Sequence, residues 1–113
     1  MPRKLIAILS IGVTAIAGLY VYNDREIPFT SSDWKTNVSK RPRMIDSLLN
    51  NHNLVGAPRE SIDDLLGVPS TSRDSVIDDR YVYWAGTDGV IDDMWLEIRF
   101  ADDRVVDVRY VPD

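Results

Sequence analysis

Apolar and polar residues are laid out along this chain in three patterns. The first is an unbroken run. Leu5 through Tyr22 carries no charge and is mostly apolar, with Arg3-Lys4 before it and Asn23-Asp24-Arg25-Glu26 after it. Its length approaches the ~20 residues a bilayer-crossing helix needs. The second pattern is helical. Met44, Ile45, Leu48 and Leu49 recur at i, i+1, i+4 and i+5 and predict a helix over 41–51, with Ser39 as N-cap and Pro42 in the first turn. Ile62, Leu65 and Leu66 predict a shorter helix that begins near Pro58 and stops at Gly67 and Pro69. Ala57 stands at its N-cap, where Ser or Thr is the better residue.

The third pattern has period two. Arg80-Tyr81-Val82-Tyr83-Trp84-Ala85-Gly86 reads as a strand by its aromatic and β-branched content, and Thr87-Asp88-Gly89 as a turn. Met94, Leu96, Ile98 and Phe100 alternate with Trp95, Glu97 and Arg99. Val106, Val108 and Tyr110 alternate with Asp107 and Arg109. Ala101-Asp102-Asp103-Arg104 joins these two runs as a hairpin. Ser70 to Asp79 is polar and reads as a loop or a poor edge strand.

Two hairpin registers keep the apolar faces together. Ile98 opposite Val106 leaves a short loop with Asp103 left-handed, which Asp tolerates. Ile98 opposite Val108 pairs Glu97 with Arg109 and Arg99 with Asp107, but sends Arg104 left-handed at about 1–2 kcal/mol. The first register is favoured by a narrow margin.

These elements predict an α+β protein: an N-terminal transmembrane or signal helix, then two helices packed on one face of a three-stranded antiparallel sheet. The expected divisions are 1–22 signal-anchor or signal peptide, 23–40 polar tether, and 41–113 domain. The helices are expected on the face of Met94, Leu96, Ile98, Val106 and Val108. Trp34 is the large apolar residue of the tether, and docking on the domain and an interfacial position both stand open.

Charge adds direction to the first pattern. Arg3 and Lys4 favour a cytoplasmic N-terminus, so Asp24 onward is expected outside. Two readings of the run Leu5 to Tyr22 stand ahead of a third, a buried helix of a soluble protein. One is a membrane anchor that puts the domain on the periplasmic side of the inner membrane. The other is cleavage near Ala17, at Ala15-Ile16-Ala17, giving a released periplasmic protein. Cleavage leaves Leu19-Tyr20-Val21-Tyr22 as an apolar new end, which favours the anchor.

Composition removes several function classes. There is no cysteine, so disulfides, thiolate chemistry and a lipid-modified Cys are excluded. The formal net charge is -5, and beyond Arg3-Lys4 the chain carries 11 basic against 18 acidic residues. Such a balance repels nucleic acid, and no basic or aromatic nucleic-acid motif is present. Lys35, Lys40, Arg41 and Arg43 make a loose basic patch, read as a solvated linker or as a contact to lipid phosphates. Asn37-Val38-Ser39 fits the glycosylation triplet, a pattern common by chance.

Catalytic and metal chemistry finds little support. His52 is the single histidine, with no second histidine to share a metal and no Ser or Cys placed for activation. Asp74, Asp78, Asp79, Asp88, Asp92 and Asp93 are numerous enough for a carboxylate-dependent hydrolase, yet nothing in the sequence sets two at working distance. Asp88-Gly89-Val90-Ile91-Asp92-Asp93 lacks the ligand alternation and terminal Glu of a calcium loop. No cofactor or metal is expected. Binding has better candidates: Trp95, Arg99 and Arg109 fall on the sheet face away from the helices, the composition of a protein-binding hot spot, unless the Ser70–Asp79 loop or the tether carrying Trp34 covers Trp95. Trp84 shares that face or the core, because its parity relative to the hairpin is not set by sequence.

Leu54-x-Gly56, the helix closing on Leu66-Gly67-x-Pro69, the strand Tyr81-Val82-Tyr83-Trp84, and Leu96-Glu97-Ile98-Arg99-Phe100 before Asp102-Asp103-Arg104-Val105 form one set. With them, residues 41 to 111 resemble the small BamE/SmpA-type envelope proteins. The resemblance implies a helix pair on one face of a three-stranded sheet and a scaffold that binds other proteins, as in the outer-membrane barrel assembly complex. β-Lactamase-inhibitor repeats look similar in architecture, which again implies binding. The chain departs from the family pattern in having no cysteine to lipidate and in carrying Asp103 where the last hairpin usually has Gly. The expected function is an exported, membrane-tethered, non-catalytic interaction module of the bacterial cell envelope. The alternatives are a small inhibitor or immunity-type binding protein and, behind it, a hydrolase or calcium module.

Overall fold

A computed structural model of the chain describes residues 25–70, 73–89 and 91–113. The run Leu5 to Tyr22 lies outside the described residues. Among those described, no helix is long and apolar enough to cross a membrane, so the transmembrane element of the expected fold is not among the elements of this structure. The elements in order are α1 (Ser31–Thr36), a 3-10 turn (Val38–Lys40), α2 (Arg41–Asn51), α3 (Arg59–Leu66), β1 (Ser75–Ile77), β2 (Arg80–Thr87), β3 (Asp93–Ala101) and β4 (Arg104–Pro112). The strands form one antiparallel sheet in the order β1-β2-β3-β4.

The sheet has four strands, not three. β1 pairs Ser75 with Val82, Val76 with Tyr81 and Ile77 with Arg80, and Asp78 (φ 55°) turns the chain into β2. This strand is short and at the edge, and its two apolar residues are consecutive and exposed. An edge strand wet on both sides leaves no period-two signature.

Of the stretch expected as a tether, the described residues 25–40 are held against the domain. The Ile27 amide donates to the Arg43 carbonyl at 2.9 Å, the Phe29 amide to Ser47 Oγ at 2.9 Å, and Thr30 caps α1 by accepting from the Asp33 amide at 3.1 Å. Trp34 is wholly buried, 5.8 Å from the Tyr83 ring between centroids. A helix of six residues with one buried side chain offers no periodicity, so composition alone reads as a linker.

The core lies between the helices and one face of the sheet. Met44, Ile45 and Leu48 of α2 and Ile62 and Leu66 of α3 meet Tyr81, Tyr83, Leu96, Ile98 and Phe100. Tyr83 donates its hydroxyl to the Gly67 carbonyl at 2.6 Å, closing the C-terminus of α3. Burial pushes the Tyr83 phenol well above its usual range. Tyr81 is also raised, by burial and then by its 2.6 Å hydrogen bond to Asp63.

The hairpin takes the register with Ile98 opposite Val108, Glu97 opposite Arg109 and Arg99 opposite Asp107. The favoured alternative, Ile98 opposite Val106, is overturned. A bulge between Arg99 and Phe100 takes up one residue of β4, so Phe100 faces Val105 and Ala101 faces Arg104. The left-handed positions then fall on Asp102 (φ 51°) and Asp103 (φ 61°), sparing Arg104. A two-residue turn with both φ positive matches strand twist, and Asp tolerates it. The bulge also exchanges two valines. Val105 is 2% exposed in the core, while Val106, expected under the helices, is 42% exposed.

The chain before α3 is latched to this hairpin. The Gly56 amide donates to the Val105 carbonyl (2.8 Å), the Val105 amide to the Ala57 carbonyl (2.9 Å), and the Arg59 amide to the Asp103 carbonyl (2.8 Å). Pro58, not Ala57, is the N-cap, and it makes no side-chain cap. The hairpin carbonyl satisfies the first helical N–H in its place. Arg59 then lies 4.0 Å over the Phe100 ring and donates Nε–H to Asp103 at 2.9 Å. Gly86, at φ 113°, passes α2 so closely that a Cβ there would stand 2.6 Å from Pro42 Cγ.

Candidate binding face of the sheet

The face of the sheet away from the helices is built in rows. Trp84 pairs with Trp95, and Trp95 with Val111. Val82 pairs with Glu97, and Glu97 with Arg109. Arg80 pairs with Arg99, and Arg99 with Asp107. Side chains alternate across a strand, so these rows share one side while Tyr83, Leu96 and Ile98 take the other. The structure therefore brings Trp84, Trp95, Arg99 and Arg109 to a single face. Arg99 and Arg109 are exposed, and the two tryptophans are half-buried.

Trp84 and Trp95 differ in their surroundings. The indole of Trp84 donates to Asp93 Oδ1 at 3.0 Å, and the Arg73 guanidinium lies 4.7 Å above its ring. Arg73 also approaches Asp93 at 4.0 Å. Arg73, just before β1, thus partly covers Trp84. Trp34 sits on the other side of the sheet, so the segment that carries it does not cover Trp95. Trp95 makes no ring contact with an aromatic or a guanidinium among the described residues.

The lower rows enclose a recess of about 270 Å³ lined by Arg80, Glu97, Arg99, Asp107 and Arg109. Glu97 lies 3.5 Å from the Arg80 guanidinium as an ion pair, and Asp107 accepts from Arg109 Nε–H at 3.0 Å. The Arg99 side chain makes no hydrogen bond or ion pair among the described residues. Two carboxylates are thus engaged, and the Arg99 guanidinium is left open among the described residues.

The face is supported from inside by a pair the sequence did not reveal. Arg41 and Asp74 meet at 2.9 Å with both side chains 2% exposed. Arg41 also donates to the carbonyls of Trp34 (2.8 Å) and Trp84 (2.9 Å), and Asp74 accepts the Trp84 amide at 2.9 Å. The loose basic patch expected of Lys35, Lys40, Arg41 and Arg43 is not a patch in the structure, since Arg41 is buried. Here Lys35 donates to the Asp64 carbonyl at 2.8 Å, Lys40 lies 3.9 Å from Asp33, and Arg43 donates to the Arg25 carbonyl at 2.9 Å. Arg80 is the other residue missed. Its parity with Trp84 along β2 places it on the open face once Trp84 is set opposite Trp95.

The remaining candidates are scattered. Asp78 and Asp79 turn β1 into β2. Asp88 and Asp92 bond one another through backbone and side chain, at 2.8 and 3.3 Å. Among the described residues no group of three or more His, Cys, Asp or Glu is placed to hold a metal ion. His52 ends α2 with its ring edge-on to Phe29 at 5.3 Å. Compared with known proteins, the chain matches no family model, no curated protein and no solved structure.

Proposed function

We propose that this protein is a non-catalytic interaction module of the bacterial cell envelope, BamE-like in type, and that a protein partner docks on the open face of its sheet. The observation that carries this is the meeting of Trp84, Trp95, Arg99 and Arg109 on the sheet face opposite the described helices. Large aromatics beside arginine dominate the energetics of protein interfaces. The order of elements, helices first and an antiparallel sheet after, supports the family comparison drawn from the sequence. The apolar run Leu5 to Tyr22 behind Arg3-Lys4 supports export, with the domain working on the periplasmic side of the inner membrane.

The test is site-specific photo-crosslinking in cells, with a photoreactive side chain at Glu97 on the open face and at Asp46 on α2. Adducts to one defined protein from position 97, absent from position 46, are the expected result. Adducts from position 46 alone would move the interface to the helices and end this reading.

A further inference from the structure

We infer that the partner segment is acidic: it sets an Asp or Glu carboxylate against Arg99 and an apolar side chain against Trp95. This rests on the open-face reading and specifies the chemistry of its partner. The recess holds three guanidinium groups and two carboxylates, while the whole chain carries a net charge of -5. The face is thus locally positive on a molecule that is otherwise acidic. Such an arrangement turns an acidic segment toward this face and away from the rest of the surface.

Within the recess the carboxylates already have partners. Glu97 is held by Arg80 and Asp107 by Arg109, and Arg99 lies between Arg80 and Asp107 in its row without a counterion among the described residues. A guanidinium in that position offers a planar fork that matches one carboxylate in bidentate fashion. Glu97 and Asp107 limit the charge the recess accepts. A dianionic phosphate or a polyanion meets two fixed negative groups there, whereas one carboxylate balances the one open cation.

The apolar half of the face sets the spacing. Trp95 and Arg99 are four residues apart on β3, about 13 Å at the usual strand rise. An extended partner segment with an apolar residue and an acidic residue four positions later spans both contacts. Trp95 supplies apolar area, and Arg99 fixes the direction in which the segment lies.

The experiment uses the full chain in mild detergent and follows the arginine Nε–H and tryptophan indole signals by NMR. The probes are a peptide with Leu and, four residues on, Glu; the same peptide with Gln for Glu; and inorganic phosphate. The Glu peptide is expected to shift Arg99 and Trp95 saturably. The Gln peptide is expected to bind roughly two- to fivefold more weakly, as loss of one exposed ion pair gives. Arg99→Gln should bring the Glu peptide down to the Gln peptide's affinity without changing the melting temperature. Equal binding of the two peptides at Trp95, or a phosphate shift of Arg99 as large as the Glu peptide's, would overturn the acidic partner and leave the open face standing. Peptide shifts confined to the helix side would remove both.

Discussion

Arg41 and Asp74, 33 positions apart in the chain, form an ion pair at 2.9 Å inside the protein, beneath the backbone of Trp84. The guanidinium is shared among the Trp34 carbonyl, both oxygens of Asp74 and the Trp84 carbonyl, and it lies 4.7 Å over the Trp34 ring. The pair ties α1, α2, the segment before β1 and β2 into one unit, and it fixes the strand that carries one of the open-face tryptophans.

Breaking that pair from one side should be costly. Arg41→Met leaves a buried carboxylate without its cation, which typically costs about 3–5 kcal/mol. Asp74→Asn added to Arg41→Met removes the stranded charge and keeps an acceptor for the Trp84 amide. Denaturant unfolding should find the double variant more stable than Arg41→Met alone. Simple addition of the two losses would show that the carboxylate is not desolvated.

Residues 25–40 belong to the folded unit through Trp34. Trp34→Ala should cost about 3–5 kcal/mol, as large aromatic truncations in a core do. A chain begun at Arg41 loses this side chain and the Trp34 carbonyl that Arg41 uses. It should show no cooperative thermal transition by circular dichroism. An intact transition in that truncated chain would return the segment to the role of a linker.

Alkaline pH should unfold the protein through its buried phenols. Burial raises Tyr83 strongly, and it also raises Tyr81 and Tyr110. The folded state therefore keeps protons that the unfolded state gives up near pH 10.0, the ordinary tyrosine value. The stability these groups supply is complete below that pH and declines as pH rises through their folded values. Urea midpoints taken across the alkaline range should fall, and Tyr83→Phe should flatten the decline. At neutral pH the same variant forfeits the hydrogen bond to Gly67, about 1 kcal/mol. An unchanged alkaline slope in Tyr83→Phe would place the titrating group elsewhere.

Legibility followed periodicity. Met44, Ile45 and Leu48, and Ile62 and Leu66, repeat at helical spacing and are buried where that spacing says. Trp95, Arg99 and Arg109 alternate with Leu96, Ile98 and Val108, so their common face could be read directly. Trp34 was not legible, because a lone aromatic in a polar stretch has no period. Val106 misled because a bulge changes parity without changing composition. Arg41 and Asp74 could not be paired from sequence, since a contact across 33 positions leaves no local trace. Trp84 needed the β2–β3 register before its side of the sheet was known.

If the open face binds and does not hold up the fold, Trp95→Ala separates the two roles. Its thermal midpoint and its affinity for the protein crosslinked from position 97 should be measured on the same preparation. The midpoint should fall by less than about 4 °C, the scale of a sub-kcal/mol loss in a small domain. The affinity should weaken by more than ~1 kcal/mol, as at an interface hot spot. A midpoint that drops as far as a core truncation, with affinity per folded molecule unchanged, would contradict a binding role for the open face.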